Sequence, residues 1–440
     1  MHKINLDLSL EDISKIEGAA GLDLSIKNGQ VEKVHFKITE YKRFYTQAIR
    51  NKSALAAPAL LARICGTCSN AHIMAALEAV ENALNITPST QTMTLRRLII
   101  NGLIIRDHAL HLYIFALPDL FAKDSLLEFD NQDPTQHQLL HDTFDVKDAG
   151  NQLSILTGGR SVHAPYPVVG GFLKFPDNQK IPQLIQKLNT IRPAVFRLIK
   201  TFFDCPFELN RNIPYLATKN SDFSFLTGNI VSSDGVNIPP EKYRQNLKHV
   251  ALPYSQASAY TYKNTSYMTG ALARLNLNKQ SLNQNTQKDT SQALSLFPSK
   301  NIFHNNLAQA IEILHSIDDS IDILQKTTFK PESPIKPQIT TGTGFGIVEA
   351  PRGILYHRLD IANNIVKKAE ILVPTGQNQL NIETDIKLIV NQRLKKSSLN
   401  NSSELTNNLK AKLQQDIEVL IRAYDPCMSC AAHFLKINWQ

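Results

Sequence analysis

The chain has 440 residues, of which 42% are hydrophobic and 20% charged, as in an ordinary folded globular protein. Its formal net charge is +8, but the basic residues are scattered, with the densest cluster at Arg393, Lys395 and Lys396. Nucleic-acid binders concentrate basic charge on one face, so we expect no nucleic-acid partner. No nearly apolar stretch reaches the roughly 20 residues of a membrane span, and Met1 to Asp7 lack the apolar region of a secretory signal. We expect a cytoplasmic protein with no direct membrane span.

An N-terminal β-hairpin is predicted over residues 20 to 39. Apolar residues alternate with small or charged ones on both sides of Asn28-Gly29, a pattern typical of two strands joined by a tight turn. A second β segment is predicted from Gly342 to Ile354 and again around residues 371 to 373.

Helical periodicity dominates the rest of the chain. Apolar residues recur at three- and four-residue spacing from Asn70 to Leu84, before Thr87-Pro88 ends the pattern. The same spacing predicts four longer helices, over residues 91 to 116, 183 to 203, 303 to 326 and 404 to 423. Two Asn/Gln/Ser-rich stretches, at 276 to 292 and 394 to 408, are interpreted as surface excursions.

These patterns predict an α+β fold that is mainly α, with a large helical core, small peripheral β-sheets and an N-terminal β-hairpin element. We interpret residues 1–440 as a single domain. Its predicted parts are a β element at about 4–48, a helical core at about 70–433 and a C-terminal extension at 434–440.

The five cysteines are too few for a disulfide framework. Four of them form two Cys-x-x-Cys pairs, Cys65/Cys68 and Cys427/Cys430, and Cys205 is expected to be a small buried side chain. A Cys-x-x-Cys turn lets two sulfurs reach one metal. Soft sulfur ligands select zinc, copper(I), nickel or iron-sulfur chemistry over magnesium and calcium.

Spacing alone leaves two alternatives open. A structural zinc site is one, although its pairs normally lie roughly 15 to 20 residues apart, and here they lie about 360 apart. A redox dithiol is the other, but its Cys-x-x-Cys usually follows a strand in a βαβ unit. The pattern after Cys68 lacks that setting.

The residues around the two pairs are more specific. Arg-x-Cys-Gly-x-Cys-x-x-x-His begins at Arg63, and Asp-Pro-Cys-x-x-Cys-x-x-His begins at Asp425. Together they resemble the nickel-iron hydrogenase large subunit, and the resemblance spans residues 13 to 433. Further matching segments are Ile16-Glu17-Gly18, Arg106-Asp107-His108-Ala109-Leu110-His111, Ala116-Leu117-Pro118-Asp119, Gly158-Gly159-Arg160, Gly170-Gly171-Phe172, Glu349-Ala350-Pro351-Arg352-Gly353 and Val373-Pro374-Thr375.

The resemblance implies a nickel-iron site in this chain. Cys65 and Cys427 would be terminal nickel ligands, and Cys68 and Cys430 would bridge nickel to iron. The iron would carry carbon monoxide and cyanide, which need apolar walls and hydrogen-bond donors.

The resemblance also implies roles around these ligands. Arg352 and Thr375 would donate to the cyanides beside Pro374, and Arg352, held by Asp107, would stand over the open metal position. Read without the family, Arg352 would be an ordinary loop cation.

Two further groups would act on the thiolates. Glu17 would take the proton that heterolysis of hydrogen leaves on Cys427, and His72 would donate to the sulfur of Cys68. Read singly, Glu17 would be an exposed turn residue and His72 a structural histidine.

The resemblance also implies a second ion and a maturation step. His433 would bind the magnesium-like ion that the family keeps near its C-terminus, but the segment from Tyr41 to Thr46 lacks the glutamate that the family commonly supplies. Seven residues follow His433. The resemblance implies that a maturation protease cuts between His433 and Phe434, after a chaperone-assisted nickel insertion.

Electron transfer requires a partner, because only Cys205 remains to bind an iron-sulfur cluster. The resemblance therefore implies an iron-sulfur small subunit. The motifs look most like those of the cytosolic branch, which is coupled to NAD(P), a deazaflavin or another soluble carrier. The rival is a non-catalytic subunit of a quinone-reductase-type complex, and the four retained cysteines argue against it.

Overall fold

The computed structural model describes residues 5–41, 44–396 and 403–432. Helices dominate these residues and the sheets are small and separate, which confirms the expected α+β, mainly α class. The longer helices are Ser69–Ala83, Thr90–Ala109, Pro134–Gly158, Ile181–Phe203, Ala271–Asn278, His304–Lys326, Pro374–Lys396 and Ser403–Ala423. Short α-helices are Tyr45–Ala48, Ala57–Leu61, Leu117–Leu120, Pro240–Tyr243, Gln284–Asp289, Ser291–Leu294 and Met428–Ala431.

Five antiparallel sheets surround the helices within the described ranges. The three-stranded sheets are Leu6–Leu10 with Ala20–Lys27 and Gln30–Ile38, Leu216–Lys219 with Asn229–Ser232 and Asn237–Ile238, and Gly342–Ala350 with Gly353–Ala362 and Ile365–Leu372. The two-stranded sheets are Pro167–Val168 with Gly171–Phe172, and Leu247–Ala251 with Ser258–Tyr262.

The predicted N-terminal hairpin is present. Its strands Ala20–Lys27 and Gln30–Ile38 pair antiparallel, and both turn residues have positive φ, 53° at Asn28 and 73° at Gly29. This is the conformation of a two-residue turn whose twist matches the flanking strands. A third strand, Leu6–Leu10, adds to the hairpin and completes the sheet.

The predicted helices lie within a few residues of the observed ones. Three of the longer helices were not predicted, namely Ala271–Asn278 and two helices of more than 20 residues. Pro134–Gly158 begins at a cap in which Asp133 accepts from the backbone N–H of Thr135, and it ends at Gly159 with φ 88°. These are ordinary start and stop signals. The second, Pro374–Lys396, begins in one of the segments that carried the family resemblance.

Residues 276 to 292, interpreted as a surface excursion, are mostly exposed or half-buried, and the stretch is also packed on the core. The stretch includes the end of the helix Ala271–Asn278 and the helix Gln284–Asp289, and Thr286 is buried. The hydroxyl of Thr286 donates to Asp318 on the long helix His304–Lys326 at 2.8 Å, so a polar sequence is folded onto the core. In the second polar stretch, residues 397–402 lie outside the described ranges.

The helix that follows the first cysteine pair packs directly on a glycine-bearing strand. Gly342, Gly344 and Gly346 alternate along their strand, and a Cβ on any of them would collide with a backbone carbonyl of the helix Ser69–Ala83. The carbonyls belong to residues 83, 79 and 75, which are one turn apart on one helix face. The glycines therefore let a helix backbone lie against a strand backbone.

Among the residues that the structure describes, one helical segment meets the length and composition criteria for a membrane span. It covers Thr90–Leu120 and includes a π-helical stretch, Leu110–Ala116. Of its most apolar window, 83% is buried inside the protein, as in the core helix of a globular fold.

Candidate metal centre

The first cysteine pair spans the turn before a helix. A 3-10 turn, Ala62–Ile64, leads into Cys65, which is extended with φ −145° and ψ 143°. Cys68 immediately precedes the helix Ser69–Ala83. This change of direction brings the two sulfurs of the pair to the same side of the turn.

The second pair is held against the N-terminal segment. Cys427 precedes the short helix Met428–Ala431, and its backbone N–H donates to the hydroxyl of Thr375 at 2.9 Å. Met428 N–H donates to the carbonyl of Glu17 at 2.9 Å. Gly18 permits this approach, because a Cβ there would lie 2.8 Å from the Cβ of Met428 and its φ is 83°.

The two pairs meet, and their four sulfurs all lie within 4.8 Å of one another. The Sγ atoms of Cys65 and Cys427 are 3.5 Å apart, and those of Cys68 and Cys430 are 3.0 Å apart. All four cysteines are free thiols in the buried core. The arrangement provides four converging sulfur donors from the two ends of the chain.

The donor set fits a soft metal centre. Burial raises the pKa of the Cys427 and Cys430 thiols, so four thiolates in this space require cations to balance their charge. A small cavity adjoins the sulfurs. It is lined by Cys68, His72, Ala350, Pro351, Arg352, Leu355, Pro374, Cys427 and Cys430.

Arg352 faces this cavity between two buried carboxylates. Its Nη1 donates to Asp107 Oδ2 at 2.6 Å, and its Nη2 lies 2.9 Å from Asp425 Oδ1. Burial lowers the pKa of Arg352, but the charges of Asp107 and Asp425 outweigh it and the net shift is upward. The guanidinium is therefore a fixed positive charge at the cavity.

Glu17 lies against Cys427 of the sulfur cluster. Its Oε2 accepts from Cys427 Sγ at 3.0 Å and from Ser429 N–H at 3.2 Å. Burial and the negative charge of Cys65 raise the pKa of the Glu17 carboxyl. A carboxyl in this position can exchange a proton with the Cys427 sulfur over one hydrogen bond.

His72 contacts a different sulfur from the one expected. The expected partner was Cys68, whereas the ring Nε2 lies 3.7 Å from Cys430 Sγ and Nδ1 lies 3.2 Å from His357 Nε2. One turn of helix carries the His72 ring past Cys68, whose carbonyl accepts from the His72 backbone N–H at 3.3 Å. Burial lowers the pKa of His72 to about 4, so its ring is neutral.

Of the remaining predicted site residues, two lie at the site and one lies outside the described residues. Pro374 lines the cavity, and the Thr375 hydroxyl is engaged by the backbone of Cys427. His433, the proposed cleavage site after it, and Lys42 and Arg43 lie outside the described residues. The second-ion hypothesis therefore stays a prediction.

Three site residues were not predicted from the sequence. Asp425 pairs with Arg352, His357 contacts His72, and the Arg106 guanidinium donates to the carbonyl of Thr67 in the first cysteine turn. Asp425 and Arg106 belong to the motifs quoted above. The sequence signal for each was a charged residue among apolar neighbours.

Comparison with known proteins identifies the family. The model of the nickel-dependent hydrogenase family matches residues 43–151 and 233–433, which include all four cysteines. The chain belongs to the nickel-dependent hydrogenase family. It is similar along its length to the alpha chain of sulfhydrogenase 1 from Pyrococcus furiosus, with 31% identity over 99% of this chain and 100% of the relative. It is also 26% identical to a chain of the F420-non-reducing hydrogenase of Methanothermobacter marburgensis, over 97% of this chain and 94% of that one.

Solved hydrogenase structures share the fold. An NAD+-reducing nickel-iron hydrogenase matches with a TM-score of 0.82 at 20% identity, over 98% of this chain and 100% of that chain. The nickel-iron-selenium hydrogenase of Desulfomicrobium baculatum matches with a TM-score of 0.72 at 19% identity, over 97% and 100% of the two chains. The protein is thus a hydrogenase large subunit, an oxidoreductase acting on hydrogen, and the structural-zinc, redox-dithiol and non-catalytic alternatives are set aside.

Proposed function

We propose that this chain interconverts hydrogen with protons and electrons at a nickel-iron pair held by Cys65, Cys68, Cys427 and Cys430. The observation that carries the proposal is the convergence of four buried sulfurs, all within 4.8 Å of one another, beside a small cavity. Cys65 and Cys427 are the proposed terminal nickel ligands, and Cys68 and Cys430 are the proposed bridges to iron.

When bound, the nickel-iron pair supplies the redox and Lewis-acid chemistry that splits hydrogen heterolytically. The cavity suits carbon monoxide and cyanide as iron ligands, because Ala350, Leu355 and Pro374 give it apolar walls. Arg352 reaches the same cavity as a hydrogen-bond donor. The Thr375 hydroxyl accepts from Cys427 N–H and retains its own proton to donate.

Glu17 is the proposed proton acceptor. Its carboxyl lies 3.0 Å from Cys427 Sγ, within the reach required of a general base. Burial raises its pKa, which brings its proton affinity closer to that of a thiol. The Ser429 N–H holds the carboxylate in this orientation.

Arg352 is the proposed electrostatic group over the metal pair. The two carboxylates of Asp107 and Asp425 fix its planar guanidinium from two directions, so it is preorganised before hydrogen enters. A lysine could not reproduce this two-sided arrangement.

The proposed electron acceptor is an iron-sulfur small subunit. The Pyrococcus furiosus relative is named as the alpha chain of its enzyme, and this chain has only Cys205 beyond its metal-site cysteines. We propose that further subunits pass the electrons to NAD(P), a deazaflavin or another soluble carrier in the cytoplasm.

Maturation and the second ion complete the proposal. A chaperone would deliver the metals, and a protease would then cut between His433 and Phe434, leaving His433 to bind a magnesium-like ion. The intact mass of the active, nickel-loaded chain should be that of a chain that ends at His433. A full-length mass on active enzyme would rule the cleavage out.

The test of function is hydrogen-dependent dye reduction by the purified complex, together with its nickel, iron and zinc content. We expect nickel and iron in the wild type, and loss of both activity and nickel in Cys68→Ala. The matched control is Cys205→Ala, which lies outside the sulfur cluster and should keep both. Zinc as the sole metal of a fully matured complex, without activity, would refute the function.

A further inference from the structure

A pair of exposed histidines lies on the outer face of the helix Pro134–Gly158, outside the sulfur cluster and its cavity. His137 and His141 are four residues apart, so their side chains project from the same face. Both are exposed. The helix is anchored just before them by the Asp133 cap.

The two rings lie close to each other through their Nε2 edges. Their centroids are 4.6 Å apart with an interplanar angle of 63°, and their Nε2 atoms are 3.3 Å apart. Two nitrogens that bind one tetrahedral cation at 2.0–2.1 Å are separated by about 3.3 Å. The observed separation is therefore that of a preformed chelating pair.

A hydrogen bond between the two rings is the competing explanation. Water competes fully with such a bond at an exposed position, so the bond contributes little to holding the two rings together. A cation shared by the two rings instead uses both nitrogens as ligands. Its binding is strengthened because one helix holds both ligands. His137 closes the first turn of the helix and His141 closes the second.

One of the three nearby carboxylates is left without an assigned role. Asp145 is exposed one turn beyond His141 on the same face, and it adds negative charge to the row. The nearby carboxylate of Asp142 is engaged by Arg197 through two hydrogen bonds of 2.7 Å. Asp133 accepts from the N–H groups of Thr135 and Gln136.

We propose that His137 and His141 form a second metal site, at the surface, which takes one divalent transition cation of the nickel, copper or zinc class. Imidazole nitrogen is a preferred ligand of these ions. Both protein ligands come from a single helix turn, so the remaining coordination positions stay open to water or to a ligand from outside. The site can therefore load and release its cation without any change in the core.

The test is titration of zinc chloride, by calorimetry, into the metal-replete complex purified without an affinity tag. We expect one additional zinc ion per large subunit, with affinity weakened at least about tenfold in His137→Ala and in His141→Ala. The matched control is His249→Ala, because His249 is a half-buried histidine whose ring bonds Ser258 Oγ at 2.9 Å. It should leave the titration unchanged.

Electron paramagnetic resonance of added copper(II) provides a second readout that does not depend on affinity. Coupling to two imidazole nitrogens is expected in the wild type, and to one in His141→Ala. Absence of an additional cation, or unchanged binding in the double variant of His137 and His141, would overturn the proposal. Hydrogenase activity serves only to show that each variant is folded and loaded.

Discussion

Arg352 shows at the residue scale how the site fixes a charge. Its guanidinium lies between the buried carboxylates of Asp107 and Asp425, and removal of the cation leaves both without their countercharge. We expect Arg352→Met to lower the free energy of unfolding by about 3–5 kcal/mol. Arg358→Met is the control, because its pair with Asp360 is partly exposed and contributes about 0–1 kcal/mol. Urea unfolding measures both, and equal losses would contradict this reading of the site.

Glu17 gives the second prediction at this scale. Glu17→Gln keeps an acceptor for Ser429 N–H but cannot take a proton from Cys427, so hydrogen oxidation should fall by about 10²-fold or more. Nickel content should not change, since Glu17 holds no metal in this scheme. The control is Glu40→Gln, because the Glu40 carboxylate accepts from Ala19 N–H at 3.2 Å in the same region. Normal turnover in Glu17→Gln would exclude the proposed proton route.

The motifs name all four cysteines that the structure brings together, because ligand type and spacing are visible in a sequence. They do not identify the sulfur that His72 contacts, which depends on the rotation of one helix turn. They also leave out Asp425 as a partner of Arg352. Such contacts join distant parts of the chain and depend on packing that no local pattern encodes.

At the element scale, the glycine-bearing strand positions the helix that begins beside Cys68. Gly346→Ala would force the helix Ser69–Ala83 away from the strand, and we expect a loss of about 1–3 kcal/mol from overpacking. Nickel content should fall with it, because Cys68 and His72 move with the helix. Thr343→Ala is the control on the same strand, since Thr343 is exposed. Thermal unfolding and metal analysis measure both variants. Similar stability and nickel content in the two would contradict the prediction.

Element types were predictable wherever the apolar period was strong. The hairpin and five of the long helices followed from alternation or from three- and four-residue spacing. Pro134–Gly158 was missed because much of its length is polar, although its cap and its terminal glycine could have located it. The role of Gly342, Gly344 and Gly346 became interpretable only when the helix packed against them was known.

At the scale of the whole molecule, the two ends of the chain are joined around the site. Glu17 pairs with Cys427 as an isolated parallel bridge, and Arg422 donates to the carbonyl of Ser14 at 3.1 Å and bonds Asp119. The fold class was predictable from periodicity. The meeting of the ends was implied only by the family resemblance, because nothing local in either end refers to the other.

Glu383 links the N-terminal sheet to the helix that carries Thr375, and it makes stability depend on pH. It accepts from Phe36 N–H at 3.1 Å and from the Tyr254 hydroxyl at 2.8 Å. Burial raises its pKa from 4.5 to about 7. The folded state therefore holds this proton to higher pH than the unfolded chain does, and the free energy of unfolding falls as pH rises through that window.

Glu383→Gln should remove this slope. Relative to the wild type, the variant should gain stability between pH 4.5 and about 7, by at most about 3 kcal/mol, and the difference should stay constant above that range. Unfolding midpoints at a series of pH values measure it. Glu241→Gln, at an exposed carboxylate, is the control and should follow the wild type. A parallel pH profile for Glu383→Gln would show that this carboxyl does not titrate in the window.

The infrared spectrum of the native, nickel-replete complex tests the central claim most directly. Metal-bound carbon monoxide and cyanide absorb in a window where the protein itself is nearly silent. We predict bands in that window which disappear in Cys68→Ala and persist in Cys205→Ala. A spectrum without such bands, from a mature sample that contains nickel, would contradict a nickel-iron centre on these four cysteines.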